Sequence, residues 1–342
     1  PSWRFDMGLE VDLIEEIARV IGYDAIPARR IVGALNPIPV PETRRLMRQA
    51  KNELVARGYF EAVTFSFVAP ELQASFDPDI SPIALKNPIS TDLAVMRTSL
   101  LPGLLKAVSH NASRQQSRIR LFETGLIFLP RDSGTEQISM LGAVVSGLRD
   151  VEGWSSEKVA ADFYDLKGAV EGLLANLGDR LAFQPGVFPG LHDGQSASIS
   201  VDGQVVGRIG TVHPAVCKAM GLPGNTAVAE LLQSAVTQVA MPAYADISKY
   251  PETRRDLALI VDESVPSGDV LSVVEDSAGR LLTKLDLFDV YQGPGLEEGT
   301  KSLAIGLTFQ DQSRTLDETE VSSAINQVLD SLREKLAIEL RS

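Results

Sequence analysis

Asp12, Glu15 and Glu16 stand at i, i+3 and i+4, so a helix through this stretch carries all three carboxylates on one face, with Asp6 just upstream. Clustered carboxylate oxygens suit a hard divalent cation such as Mg2+. The same charges also suit a helix N-terminus, where each carboxylate is favoured by roughly 0.3–1 kcal/mol. Spacing alone leaves both readings open. Leu9, Leu13, Ile14, Ile17 and Ile21 occupy much of the remaining helix surface.

A second set lies toward the C-terminus. Tyr250, Arg254, Arg255, Phe288, Tyr291, Lys301 and Arg314 fall near strand starts and turns. Aromatic rings and guanidinium planes are the groups on which bases of a single-stranded RNA loop stack. Strict alternation puts Phe288 and Tyr291 on opposite faces, and we read Tyr291 as outward and Phe288 as inward. An Arg255–Asp256 structural pair is an equal alternative for that arginine. His110, His192 and His213 are isolated from any nucleophile pattern and Cys217 is the single cysteine, which speaks against a catalytic triad and against zinc.

The elements that must position the C-terminal set follow from periodicity. Arg255–Val261 alternates as a strand. Pro266-Ser267 opens a helix that Gly279 closes. Leu285–Tyr291 and Ser302–Phe309 alternate again, with Gln292–Gly295 and Glu298-Gly299 as turns. A long helix starts at about Asp317, and Ala337–Leu340 is short enough for a last strand. The order βαββαβ predicts a ferredoxin-like sandwich, a four-stranded antiparallel sheet with two helices on one face and the other face free.

Upstream, Asn36–Pro41 is a proline-rich joint that cannot continue a helix. We expect a helix over Thr43–Arg57 capped by Gly58, with Leu46, Ala50, Leu54 and Val55 as its apolar stripe. Strands are expected at 62–68, 118–129, 138–145, 197–201 and 205–209, and helices at 102–112, 162–177 and 228–235. Their irregular order, with a hairpin turn at Asp202-Gly203, predicts an α+β unit: an antiparallel sheet with flanking helices, not a doubly wound parallel one. The expected division is 1–40, 41–240 and 245–342.

Four motifs of the last division closely resemble the ferredoxin-fold anticodon-binding domain that ends the bacterial phenylalanyl-tRNA synthetase beta subunit: Lys249–Ala258, Leu287–Tyr291, Gly299–Leu303 and Gln310–Leu316. Val95–Leu105, His110-Asn111, Arg120–Phe128 and Gly207–Pro214 resemble the class II synthetase-like core of the same subunit. Thr43–Arg57 with Tyr59-Phe60 and Val63–Phe67 resembles motif 1, the class II dimerisation element. Pro1–Asp6, Glu10–Arg19 and Gly22–Asp24 resemble the end of the small domain that precedes that core.

The resemblance implies that Asp6, Asp12, Glu15 and Glu16 are Mg2+ ligands in the complete enzyme. It implies that Tyr250, Arg254, Arg255, Tyr291, Lys301 and Arg314 lie where tRNA(Phe) is contacted near the anticodon. It also implies an α2β2 assembly in which a separate alpha subunit carries the chemistry. A working class II site needs fixed cations for the ATP phosphates. Here Glu123–Phe128 carries no Arg after Glu123, so the resemblance implies a catalytically silent core in which Arg97, Arg118, Arg120 and Glu123 are structural.

The bulk composition fits with one reservation. The chain has 342 residues, 44% hydrophobic, and a formal net charge of −13. That length predicts two or three domains. Residues 245–342 hold about ten basic against nineteen acidic residues, so phosphate contacts must come from a local patch. No apolar run approaches the roughly 18–20 residues needed to cross a bilayer. No signal peptide is visible, and a single cysteine fits a reducing cytoplasm. The start at Pro1 without Met reads as a piece of a longer protein. The expected function is the non-catalytic part of a phenylalanine–tRNA ligase. The alternative is a non-enzymatic amino-acid-sensing or RNA-binding module on a degenerate synthetase fold.

Overall fold

A computed structural model describes residues 3–34, 36–37, 39, 41–241, 243–244 and 246–341. Ile38 and Val40 of the proline-rich joint, Pro1 and Ser2 of the first motif, and Ala245 and Ser342 at the limits of the last division lie outside the described residues. The chain forms two compact units, Pro1–Met241 and Pro242–Ser342. No described helix is long and apolar enough to cross a membrane.

The first unit runs α1 (Glu10–Ile21), α2 (Met47–Ala56), β1 (Phe60–Glu61), β2 (Phe67–Val68), α3 (Pro70–Ala74), β3 (Val95–Met96), α4 (Leu101–Ala112), β4 (Arg118–Arg131), β5 (Gly134–Gly147), α5 (Phe163–Leu174), β6 (Leu181–Pro185), β7 (Leu191–Val201), β8 (Gln204–Val212), α6 (Pro214–Met220), β9 (Ala227–Leu232) and α7 (Gln233–Val236). Seven strands form one sheet in the order β1-β4-β5-β9-β8-β7-β6, antiparallel except where β1 meets β4. One face packs on α2 and α5 through Leu54, Phe122, Leu141, Leu166 and Leu173. The other packs on α4 and α6 through Leu100, Leu104, Val144, Val212 and Val228. Where both faces are covered the central strands are buried on consecutive residues, 140–146 of β5 and 227–231 of β9, and lose their alternation.

That loss explains one error. The segment expected as a helix over 228–235 is mostly the central strand β9, with only Gln233–Val236 helical. Ala-Val-Ala-Glu-Leu-Leu has good helix formers and no period-two pattern, yet it pairs with β5 and β8 on both sides. Of the strand expected at 62–68 only Phe67–Val68 forms, paired with β3; another short strand, Phe60–Glu61, precedes the expected span and pairs with β4. Between them the Glu123 carboxylate takes the Thr64 backbone N–H and hydroxyl, replacing ladder bonds.

The helix expected from Thr43 begins at Met47. Its first residues are drawn away by the backbone: Arg45 N–H donates to the Thr237 carbonyl and Val239 N–H to that of Thr43. Ala50 and Leu54 face inward as expected, but Leu46 and Val55 are exposed. The hairpin at Asp202-Gly203 does form, with φ of 52° and 76°.

The second unit is β10 (Thr253–Asp262), α8 (Ser267–Ala278), β11 (Leu282–Tyr291), β12 (Thr300–Phe309), α9 (Glu318–Leu336) and β13 (Glu339–Leu340). The sheet order is β11-β12-β10-β13, every pair antiparallel. Odd-numbered Leu257, Leu259 and Val261 of β10 and Leu303, Ile305, Leu307 and Phe309 of β12 form one core with Val270, Val274, Val321, Val328 and Leu332 of the two helices. This is the ferredoxin-like arrangement, with one face of the sheet left open.

Asp317 starts α9 by accepting hydrogen bonds from the Thr319 hydroxyl and N–H and from the Glu320 N–H. These bonds, the Thr319 side chain foremost, hold its carboxyl below the usual carboxylate range. A depressed folded pKa contributes stability above the unfolded value and loses it as pH falls through the folded one. Asp317→Ala is therefore expected to lower the melting temperature of this unit near neutrality. The gap to the parent should narrow as melts are taken through the acid range; a pH-independent gap would contradict it.

Candidate functional site

The first unit holds two ionic networks, one buried and one largely buried. Arg97 lies at the end of β3 and Glu123 on β4. Arg97 Nη1 meets Glu123 Oε1 at 2.7 Å, and the side chains are 4% and 3% exposed. Arg97 also donates from Nε to the Leu126 carbonyl at 2.9 Å and from Nη1 to Thr64 Oγ1 at 3.2 Å. Gly125 makes this possible, because any Cβ there would collide with the guanidinium.

In the second network Arg208 Nη2 bridges Asp77 Oδ1 at 3.2 Å and Glu230 Oε2 at 3.1 Å. Glu230 accepts further bonds from Ser99 Oγ and from the Leu100 N–H at 2.6 Å, and Asp77 from Thr98 Oγ1 at 2.6 Å. Burial pulls the Arg208 pKa down, but Glu230 and then Asp77 more than reverse it, so the guanidinium stays charged. Both arginines are thus neutralised by carboxylates, Arg97 by buried Glu123 and Arg208 by buried Glu230 and part-buried Asp77.

At the acidic helix Asp6, Asp12 and Glu16 are already engaged, while Glu15 is exposed. Arg4 donates to Asp6 and Glu16, 2.8 Å each, and Arg19 also pairs with Glu16. Arg19 and then Arg4 hold Glu16 below the carboxylate range, and Arg4 does the same to Asp6. Asp12 caps the helix by accepting from the Gly8 and Leu9 N–H groups. Four carboxylates are the right donor chemistry for Mg2+. As the side chains stand, a guanidinium lies between two of the donors, and among the described residues no three His, Cys, Asp or Glu side chains are grouped around one point.

The open face of the second unit's sheet is the third site. The even-numbered residues face away from the helices, and its floor includes the small Ala258, Ser302, Ala304 and Gly306 beside Ile260 and Thr308. On it stand two aromatic–guanidinium pairs. Arg254 stacks over Phe288 at 5.4 Å and Arg341 over Tyr291 at 5.5 Å. Gly306 lets Arg254 lie flat, since a Cβ there would come within 2.6 Å of its Nη2. Tyr291 donates its hydroxyl to the Pro294 carbonyl at 2.9 Å, which fixes the ring.

The structure divides the seven residues singled out in the sequence. Arg254 and Tyr291 share the open face. Tyr250, before β10, is half-exposed and its carbonyl accepts from Gln310. Arg255 is on the opposite, helix-bearing side and pairs with Glu318 at 2.5 Å, not with Asp256. Lys301 donates to the Glu263 and Val265 carbonyls, and Arg314 is held bidentate by Glu320 at 2.5 Å.

Phe288, read as inward, is 52% exposed on the open face. A β-bulge between Leu287 and Asp289 breaks the alternation that the inward reading assumed. Arg341 escaped sequence reasoning altogether. Its signal was its place one residue past β13, where its N–H pairs with the Ala258 carbonyl and its side chain reaches the open face.

Comparison with known proteins places the chain. A solved Desulfitobacterium hafniense pyrrolysyl tRNA synthetase, PylSc, covers 56% of this chain and 66% of its own at TM-score 0.41 and 14% identity, too distant to carry weight. The phenylalanine–tRNA ligase beta subunits of Pseudomonas putida and Vibrio cholerae are 47% and 43% identical over 100% of this chain. The chain spans 43% and 44% of the length of these two relatives. Family models match in three consecutive segments: the tRNA synthetase B5 domain at 1–23, the phenylalanyl tRNA synthetase beta chain CLM domain at 26–232 and the ferredoxin-fold anticodon binding domain at 248–341. The chain belongs to the phenylalanyl tRNA synthetase beta chain family.

Proposed function

We propose that this chain is the non-catalytic, C-terminal part of a phenylalanine–tRNA ligase beta subunit. In this reading it scaffolds a catalytic alpha subunit in an α2β2 cytoplasmic assembly and contacts tRNA(Phe) near the anticodon. The observation that carries the non-catalytic half is the pairing of Arg97 with buried Glu123 and of Arg208 with buried Glu230 and part-buried Asp77. A phosphate cannot recruit a guanidinium already neutralised in a dry site without stranding a carboxylate there. The RNA-contacting half is supported by the two stacked pairs on the open sheet face.

The alpha subunit is assigned to the side of α2 and β1. Leu46, Val55, Phe60, Val63 and Phe65 are all more than half exposed there, on the segment that resembles the class II dimerisation element. Mg2+ at Asp6, Asp12, Glu15 and Glu16 belongs to the same proposal; it requires Arg4 to leave Asp6 and Glu16, and nothing in the scaffold or RNA role runs through it.

The chain alone should show no phenylalanine-dependent ATP–pyrophosphate exchange. Mixed with a separately expressed alpha subunit it should co-elute in gel filtration. Exchange by the chain alone, or free phenylalanine binding by calorimetry without an alpha chain, would overturn the reading.

A further inference from the structure

Arg118 and Arg120 are neighbours on one face of β4 and carry like charge. Arg118 Nε donates to the Arg149 carbonyl at 3.2 Å, and Arg120 Nη2 donates to the same oxygen at 2.9 Å. Two guanidiniums therefore converge on one atom. Neither makes an ion pair among the described residues, whereas the neighbouring Arg149 side chain is committed to Asp162 and Asp165 and that of Arg57 to Glu53. Arg118 has only its Nε engaged among the described residues, and its Nη atoms lie over Gly58. Arg120 has a buried Nε with no partner.

Beneath them is Tyr59. Its ring lies under Arg120 at 5.7 Å, it is 2% exposed, and its hydroxyl has no partner. Burial pushes that hydroxyl up to about 12, so it remains a donor at neutral pH. Burial, and then the charge of Arg120, lowers the Arg118 pKa. Neither arginine has a carboxylate within salt-bridge distance among the described residues; their acceptors are carbonyls, that of Arg149 for both and that of Arg57 at 3.5 Å from Arg120 Nη1. Two cations with carbonyl partners alone, one of them with an unpartnered buried Nε, stand beside the unpartnered Tyr59 hydroxyl, and carbonyl oxygens carry too little charge to balance the guanidiniums.

We infer that Arg118 and Arg120, with Tyr59, form a binding site for a phosphate-class oxyanion on the first unit, separate from the open sheet face and from the buried networks of the core. The guanidiniums donate to two oxygens of the anion and the Tyr59 hydroxyl is the third donor. The chemistry is common to free phosphate and to the phosphodiester of an RNA strand. The site is independent of the function proposed above.

The test uses the whole chain, with inorganic phosphate as probe against chloride at matched ionic strength. Phosphate should raise the melting temperature and broaden the 31P resonance saturably. Arg118→Gln and Tyr59→Phe should each fold as the parent by circular dichroism, and Arg118→Gln should weaken phosphate binding about tenfold or more. Arg131→Gln, at a surface pair with Glu136, should not. Equal responses to phosphate and chloride, or unchanged binding in both Arg118→Gln and Arg120→Gln, would overturn the inference.

A salt titration of RNA binding separates the two sources. If the slope falls by about one in Arg118→Gln the phosphate is the RNA's; if it is unchanged while the inorganic phosphate response is lost, the site takes the free ion.

Discussion

Arg97→Ala is expected to destabilise the first unit by about 3–5 kcal/mol, read as a shift in its urea midpoint at constant slope. The substitution removes a cation that is 4% exposed and leaves Glu123, 3% exposed, with its charge in a dry site. It also strands the Leu126 carbonyl. The expected cost comes from the abandoned partner, so the control is to remove both. Replacing Arg97 by Met and Glu123 by Leu together should recover most of the loss, because apolar side chains of similar volume often match a buried pair. The Thr64 N–H, which loses its acceptor, sets the remainder. A single-variant cost below about 1 kcal/mol, the range of surface pairs, would show that water reaches the pair and that it behaves as a surface ion pair.

What the sequence made legible was local. The helix start at about Asp317, Gly279 after an apolar helix and the Asp202-Gly203 turn each state their geometry within a few residues, and each formed. The open and closed faces of β10 and β12 followed from alternation for the same reason. What escaped was set by partners far along the chain. β9 is a strand because β5 and β8 lie on either side of it, not because of its own residues. Arg208 meets Asp77, 131 residues away. Arg255 was assigned to Asp256 or to RNA, and instead reaches Glu318 across the unit. Charged residues in a chain this acidic cannot be sorted into free and paired by type alone, so the RNA candidates shrank to those whose side chains the sheet turns outward. The inward reading of Phe288 failed at a bulge, which inserts one residue and inverts every face beyond it.

Phe288→Ala is expected to weaken binding of an anticodon stem-loop RNA by roughly tenfold to a hundredfold, the range for one base losing its aromatic platform. The argument rests on the composition of the open face. Arg254 is shared with Asp256 at 2.8 Å, and Lys284 with Asp286 at 2.6 Å, so little net positive charge is offered to phosphates. Binding there must draw on stacking more than on counterion release. Two consequences follow together. The affinity should fall with salt by a slope of only about one or two in log–log terms, against the larger slopes of basic RNA-binding surfaces. And Arg314→Gln, which removes a cation already held by Glu320, should change affinity less than twofold, while Arg254→Gln should cost nearly as much as Phe288→Ala because it removes the other half of the stack. Fluorescence anisotropy of a labelled stem-loop at several salt concentrations measures all three. A steep slope with equal losses in Arg314→Gln and Phe288→Ala would move the RNA contact to the helix-bearing side of the sheet, where Arg255, Lys301 and Arg314 lie, and would leave the paired aromatics as packing.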